Sequence, residues 1–485
     1  MTGRRQTILF LIADTGAGHR SAANALIRAM AELQQQQRRR HAPAGRGPHP
    51  SSVTPAYNVV IVDAFEECSH FPLRNGVFLY GPAIKYSPRL YGQIYRATNS
   101  TQRFEAARRI CQPFLRQGLR RLIERTQPDV IVSVHPLLNH ITLQVLRDIG
   151  IRIPVLTVVT DLVSIHCAWF ARGIDAYSVP TETARQLALG AGVASKRVRL
   201  LGMPIDPKFA RMPERTRAEF RAELGLDPDL PVILMVGGGE GAGGLRLAAE
   251  TLKYVDLPAQ VAIITGRNQR LRADLQRELG EFVMPTHVFG FVDNMPTFMR
   301  AADVVVTKAG PGTICEALAC GLPIILTGAV PGQEEGNIDY VLDNEIGLYA
   351  STPDDLIAAL DRLLGPSTSE LERFRENARR LSHAQASFDI ARLILSYVPA
   401  GKVPSVWSGR PKRMAARSRR ARVTVLRRAV ASRMPSLPVG TRLGARHIIR
   451  RAGGSAHTAD RSYVFGLARM AEVRRLLRRE RNAQV

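Results

Sequence analysis

Long apolar runs are missing from this chain of 485 residues. None approaches the about 20 residues that a membrane-spanning helix needs, which excludes a bilayer-crossing helix. The run ILFLIA behind Arg4 and Arg5 is too short for a signal peptide and leads into a glycine loop, so it is expected to be the first buried strand. Cysteine is also scarce. Cys68, Cys111, Cys167, Cys315 and Cys320 are odd in number and never spaced C-x-x-C, which excludes structural zinc and fits a reduced, cytoplasmic protein. Neither a Walker sequence nor an H-E-x-x-H helix occurs.

Acidic residues are thin in one region only. The net charge is +25, but residues 401–485 hold 22 of the 67 Lys and Arg and 3 of the 42 Asp and Glu, leaving the first 400 residues at +6. The body is therefore mildly basic and the tail carries the excess. With 45% hydrophobic residues the chain can fill more than one core. Apolar runs at 6–13, 57–65, 129–135, 155–161, 176–181 and 198–204 alternate with helical patterns. A second series follows at 231–241, 259–268, 287–292, 302–310 and 322–328. Continuous β-branched runs of this kind read as parallel strands covered on both faces. The expected fold is α/β, with two doubly wound Rossmann-like domains, 1–204 and 205–398, facing a cleft. An Arg-rich tail, 399–485, is expected to be partly helical or disordered. The Gln/Arg-rich stretch around 35–57 lacks apolar periodicity and is expected to be a flexible surface loop. A helix is expected near 20–33, and helical pattern from 370 to 397 ends the folded body.

Residues 308–337 read KAGPGTICEALACGLPIILTGAVPGQEEGN. A buried strand runs into Gly310, Gly312 and Thr313, and a helix opens there. A helix N-terminus after a glycine turn offers free N–H groups to an anion. Glu316, one turn in, can accept hydrogen bonds from vicinal hydroxyls such as those of a ribose. Gln333, Glu334 and Asn337 in the loop beyond can hydrogen-bond sugar hydroxyls, or the loop can simply be a solvated acidic surface. Diphosphate, ribose and polar loop together describe a nucleotide-sugar site. Gly238 and Gly239, after the strand at 231–236, suit a diphosphate or a plain tight turn. Backbone at Phe291 and Val292 can read the edge of a uracil ring. No D-x-D follows a strand, since Asp227-Pro228-Asp229 precedes one. No metal is expected, and Lys308 and Arg267 are candidates to offset the leaving charge.

The first half contributes ADTGAGHR at 13–20. Gly16 and Gly18 keep the turn bare, and His19 stands at the helix start, as a proton acceptor for an attacking hydroxyl or as an exposed helix-capping residue. HPLLNH at 135–140 and TDLVSIHCAWF at 160–170 also come from strand ends. Asp161 can orient His19 or act as base itself. His135 and Trp169 are acceptor-side candidates, Trp169 with Phe170 lining an apolar path or packing the core.

These blocks, taken in order over residues 6–395, resemble the monogalactosyldiacylglycerol synthase family. More distantly they resemble bacterial diacylglycerol glucosyltransferases and the peptidoglycan-precursor N-acetylglucosaminyltransferase. The resemblance implies a GT-B fold, a UDP-hexose donor, no cofactor, inversion without a metal, and a diacylglycerol acceptor at a membrane surface. His19 resembles that family's proposed base, Gly310, Gly312 and Thr313 its phosphate turn, Glu316 its ribose carboxylate, and Gln333 and Glu334 its sugar-binding pair. Plant members read His-Pro-Thr-Trp-Phe-His where this chain has His166-Cys167-Ala168-Trp169-Phe170-Ala171. The expected enzyme moves galactose or glucose to diacylglycerol, peripheral on the inner face of the plasma membrane. Its tail is expected to meet an anionic membrane surface through apolar Val423, Leu426, Val430 and Met434 among arginines. A UDP-sugar epimerase and a non-enzymatic polyanion-binding protein are the alternatives. No specific nucleic acid is expected, because no reading motif occurs and tail aromatics are few.

Overall fold

The computed structural model describes residues 5–16, 18–41, 57–70, 84, 86–211, 213–237, 244–365, 369–399 and 406–407. Gly238, Gly239, the tail segment around 419–434 and most of the 35–57 stretch lie outside the described residues.

Two six-stranded parallel sheets form the body. The first has β1 Gln6–Ile12, β2 Tyr57–Asp63, β3 Val130–Ser133, β4 Val155–Val158, β5 Ala176–Val179 and β6 Val198–Leu200, in the order β2-β1-β3-β4-β5-β6. The second has β7 Val232–Val236, β8 Gln260–Ile264, β9 Thr286–Phe289, β10 Val304–Thr307, β11 Ile324–Leu326 and β12 Gly347–Tyr349, in the order β12-β11-β10-β7-β8-β9. Strands β3, β4, β7, β8 and β10 are buried along their whole length. Helices cover both faces, so no face remains for a polar alternation. In each sheet the strand order reverses once, between β1 and β3 and between β7 and β10. Ligands of open parallel sheets bind at such reversals, beyond the carboxyl ends of the strands.

Three features depart from the sequence expectation. The first helix runs Gly18–His41, into the Gln/Arg stretch expected to be loop. Gln and Arg are good helix formers, and this helix is already anchored by buried Ala22, Leu26, Ala29 and Met30. Strand β12 has no counterpart in the sequence reading, because a three-residue edge strand carries no periodicity. The helical pattern at 370–397 is two helices, Ser369–Arg380 and Ala386–Ser396. The first is tied to the second sheet by Arg375, which shares Asp303 with Arg221 at 2.7 and 2.6 Å. The second packs Phe388, Ile390 and Ile394 into the core of the first sheet with Phe10 and Leu26. The chain crosses between them past Gly202, where φ is +85° and a Cβ would come within 2.3 Å of His383 Cβ. Only glycine fits there.

Candidate active site

At the first reversal, β1 ends in a turn that uses Gly16 at φ +82°. The helix then opens at Gly18, whose Cα faces open space. His19 is 8% exposed. Thr160 Oγ1, at the end of β4, lies 3.1 Å from His19 Nδ1, and the Val134 carbonyl also hydrogen-bonds the ring. Burial outweighs these partners and lowers the His19 pKa to about 4, so the imidazole is neutral and able to accept a proton. The His135 ring stands edge-on to it, with centroids 4.8 Å apart. Leu137 N–H donates to His135 Nδ1, so the His135 proton sits on Nε2 and faces Thr15 Oγ1 at 3.2 Å. Burial, and then the neighbouring His19, hold His135 well below the usual histidine range.

Asp161 follows Thr160. Its Oδ2 accepts from Trp169 Nε1 at 2.7 Å. Trp169 is fully buried and supports this carboxylate from behind, while Phe170 is half-buried against the Tyr177 ring. Burial raises the Asp161 pKa to about 6 and the charge of Glu334 adds to it, while hydrogen bonds from Trp169 and Gln333 oppose the rise. The partner of His19 Nδ1 is thus Thr160, and Asp161 is spoken for by Trp169 and Gln333.

At the second reversal, β10 leads to Gly310, the N-cap of the helix Pro311–Ala319, with no side chain capping it. Ile314 donates the first intrahelical bond back to Gly310. The amides of Gly312 and Thr313 precede that bond, so the helix presents them outward. A Cβ on Gly312 would meet nothing within 4 Å. Lys308 pairs with Glu334, and Glu334 Oε2 also accepts from Val330 N at 3.0 Å. A Cβ on Gly310 would lie 3.1 Å from Lys308 Nζ. Glu316 is half-buried, and burial, reinforced by Asp206, pushes its carboxyl up to about 8. Asn337 is 2% exposed, and its Nδ2 donates to Ala309 O at 2.8 Å, bracing the turn. Arg267 lies over the exposed Phe291 ring at 5.1 Å, and Val292 packs partly into the second core. The helix after Val292 begins at Met295 with a proline near its start and no side-chain cap from Asn294.

The turn at 330–334 and the start of the helix Glu335–Asp343 join the two reversals; the loop expected to run to Asn337 ends at Glu334, and Asn337 is a buried helical residue. Gln333 hydrogen-bonds Asp161, and its Oε1 accepts from Tyr91 at 2.8 Å. Gly336 N–H donates to Ser164 Oγ at 3.1 Å. Sequence reasoning missed Tyr91, Ser164 and Thr160. Thr160 had one available signal, its place next to Asp161 at a strand end. Tyr91 and Ser164 had none.

Two parallel doubly wound sheets whose reversal points are bridged by one polar loop are the arrangement of a GT-B glycosyltransferase. The solved glycotransferase of kitacinnamycin shares the fold, with TM-score 0.51 and 17% identity over 82% of this chain and 100% of that one. Within that class the sequence is more specific. Residues 51–205 match the monogalactosyldiacylglycerol (MGDG) synthase family, and residues 232–388 match the glycosyltransferase family 28 C-terminal domain. Monogalactosyldiacylglycerol synthase 1, chloroplastic, of Arabidopsis thaliana is 33% identical over 396 residues, covering 80% of this chain and 70% of that one. Probable monogalactosyldiacylglycerol synthase 2, chloroplastic, of Oryza sativa subsp. japonica is 35% identical over 400 residues, covering 81% and 80%. The chain belongs to the monogalactosyldiacylglycerol synthase family and is a glycosyltransferase.

Proposed function

We propose that the protein is an inverting, metal-independent hexosyltransferase that moves galactose or glucose from a UDP-sugar to diacylglycerol. The observation that carries this is a neutral, buried His19 at one reversal point and the uncapped Gly310–Thr313 helix start at the other, joined through Asp161 and Gln333. The uncapped amides, with the helix dipole, stabilise the departing diphosphate. Lys308 is already paired with Glu334 and Arg267 lies over Phe291, so the helix start carries most of that task. Glu316 takes the ribose hydroxyls and Gln333 the hexose, with Glu334 held beside it on Lys308 and Val330 N. The acceptor hydroxyl gives its proton to His19 as its oxygen attacks the anomeric carbon from the side opposite UDP. A single displacement of this kind inverts that carbon. Diphosphate charge near His19 raises its basicity.

The diacylglycerol acceptor is supported by the names of the two relatives above, a monogalactosyldiacylglycerol synthase and a probable one. Among the described residues no helix is long and apolar enough to cross a membrane. Leu90 and Ile94 of the helix Pro88–Thr98 are exposed beside exposed Arg89, which supports contact with an anionic bilayer from the first half. The reading is of a peripheral protein on the inner face of the plasma membrane. The test is transfer of hexose from UDP-galactose or UDP-glucose to diacylglycerol in vesicles. His19→Ala is expected to lower turnover by roughly 10²- to 10⁴-fold with donor affinity kept. Full turnover in that variant removes the base assignment.

A further inference from the structure

The helix Pro88–Thr98 of the first half lies directly on the turn at 330–334 and the start of the helix Glu335–Asp343 of the second. A Cβ on Gly92 would come within 2.7 Å of Pro331 Cβ. Gly332, at φ +78°, leaves only 3.1 Å to Gly92 O and 3.2 Å to Tyr95 Cδ1 for any added Cβ. Arg96 pairs with Glu335 at 2.8 Å. Tyr95 OH donates to Ser164 O at 2.9 Å, and Ser164 Oγ receives Gly336 N–H. Glycine on both sides of the contact lets the two backbones meet, and polar pairs surround it. Tyr91 stands within this contact and reaches Gln333.

The two ends of the Gln333 amide are held by different groups. Tyr91 OH donates to Oε1 at 2.8 Å, and the NH₂ end serves the Asp161 carboxylate. The Asp161 carboxylate sets which end of the amide faces it, since a flipped amide would turn its carbonyl oxygen toward Asp161, oxygen against oxygen. Tyr91 OH then anchors the carbonyl end, and its loss removes that hydrogen bond. We propose that Tyr91 is a positioning residue for the donor hexose, anchoring from the first half the Gln333 amide that receives the sugar. Selection of the sugar then depends on a residue of the first half that touches no substrate atom. This rests on the UDP-hexose reading above.

The test is calorimetric binding of UDP-galactose, UDP-glucose and UDP to the full chain and to Tyr91→Phe. The substitution keeps the ring and its packing with Tyr95, whose centroid is 6.3 Å away. Loss of one orienting hydrogen bond is expected to weaken UDP-hexose binding roughly five- to tenfold and to leave UDP within about twofold. The preference between the two hexoses narrows. In a Gln333→Ala background, Tyr91→Phe is expected to have no further effect on UDP-hexose binding, because the positioning role runs through Gln333. Equal weakening of UDP and UDP-hexose, an unchanged UDP-hexose affinity, or the same loss in both backgrounds overturns the positioning role while leaving the hexosyltransferase reading in place. A wild-type chain that binds none of the three nucleotides overturns the donor reading, and this inference with it.

Discussion

Glu316→Gln is expected to exchange donor affinity for stability, and pH separates the two effects. Burial, then Asp206, raise the Glu316 carboxyl from 4.5 to about 8. Between these values the folded protein keeps a proton that the unfolded chain has released. Stability contributed at this site is therefore complete below about 4.5 and is lost as pH rises through about 8. The full shift has a ceiling of ~5 kcal/mol, and water at a half-buried side chain reduces it to ~1–3 kcal/mol. Glutamine cannot ionise, so the variant lacks this slope. In urea denaturation the stability difference between variant and wild type is expected to grow in the variant's favour by ~1–3 kcal/mol from about pH 5.5 to about pH 8.5. The same substitution replaces the carboxyl assigned to the ribose, and UDP-galactose affinity should fall roughly tenfold or more. A stability difference that is constant across that pH range refutes the account of a carboxyl kept neutral by burial. A variant that is more stable at high pH but binds donor as tightly as wild type leaves the burial argument standing and removes the ribose role.

Asp161, at about 6, gives a second pH signature. Its carboxylate is present above that value, so kcat/KM should fall about tenfold per pH unit below about 6 and level off above it. A profile flat from about pH 5 to about pH 8 removes Asp161 from the mechanism. Removing residues 411–485, which hold 20 Lys and Arg and 3 Asp and Glu, should weaken flotation with anionic vesicles and reduce its salt dependence, while Trp407, buried in the first core and donating to Pro128 O, is kept. Unchanged flotation assigns membrane contact to the body alone.

Both sheets were legible in the sequence because their inner strands are buried on both faces and read as unbroken apolar, largely β-branched runs, while the edge strand β12 was not. The reversal points were legible for another reason. Gly16 and Gly310 mark turns at strand ends, and the residues that follow, His19 and Glu316, are the ones given roles in the proposed reaction. The segment 330–337 was legible as polar, but neither the helix that begins at Glu335 nor its division of labour was. Glu334 is turned inward on Lys308, Asn337 braces Ala309, and Gln333 reaches Asp161 and Tyr91 across the cleft. These partners are set by how the two halves meet, and 242 positions separate Tyr91 from Gln333. Trp169 shows the same limit. A tryptophan near a strand end reads as a lining residue, yet it is fully buried, and only its indole N–H reaches the site. The tail's role rests on composition alone.

The most direct measurement is product analysis after the purified full chain is incubated with UDP-galactose or UDP-glucose and diacylglycerol vesicles. A hexosyl-diacylglycerol with inverted anomeric configuration, formed without added divalent metal and lost in His19→Ala, is the predicted result. An isomerised UDP-sugar with no lipid product, or a glycolipid of retained configuration, contradicts the account.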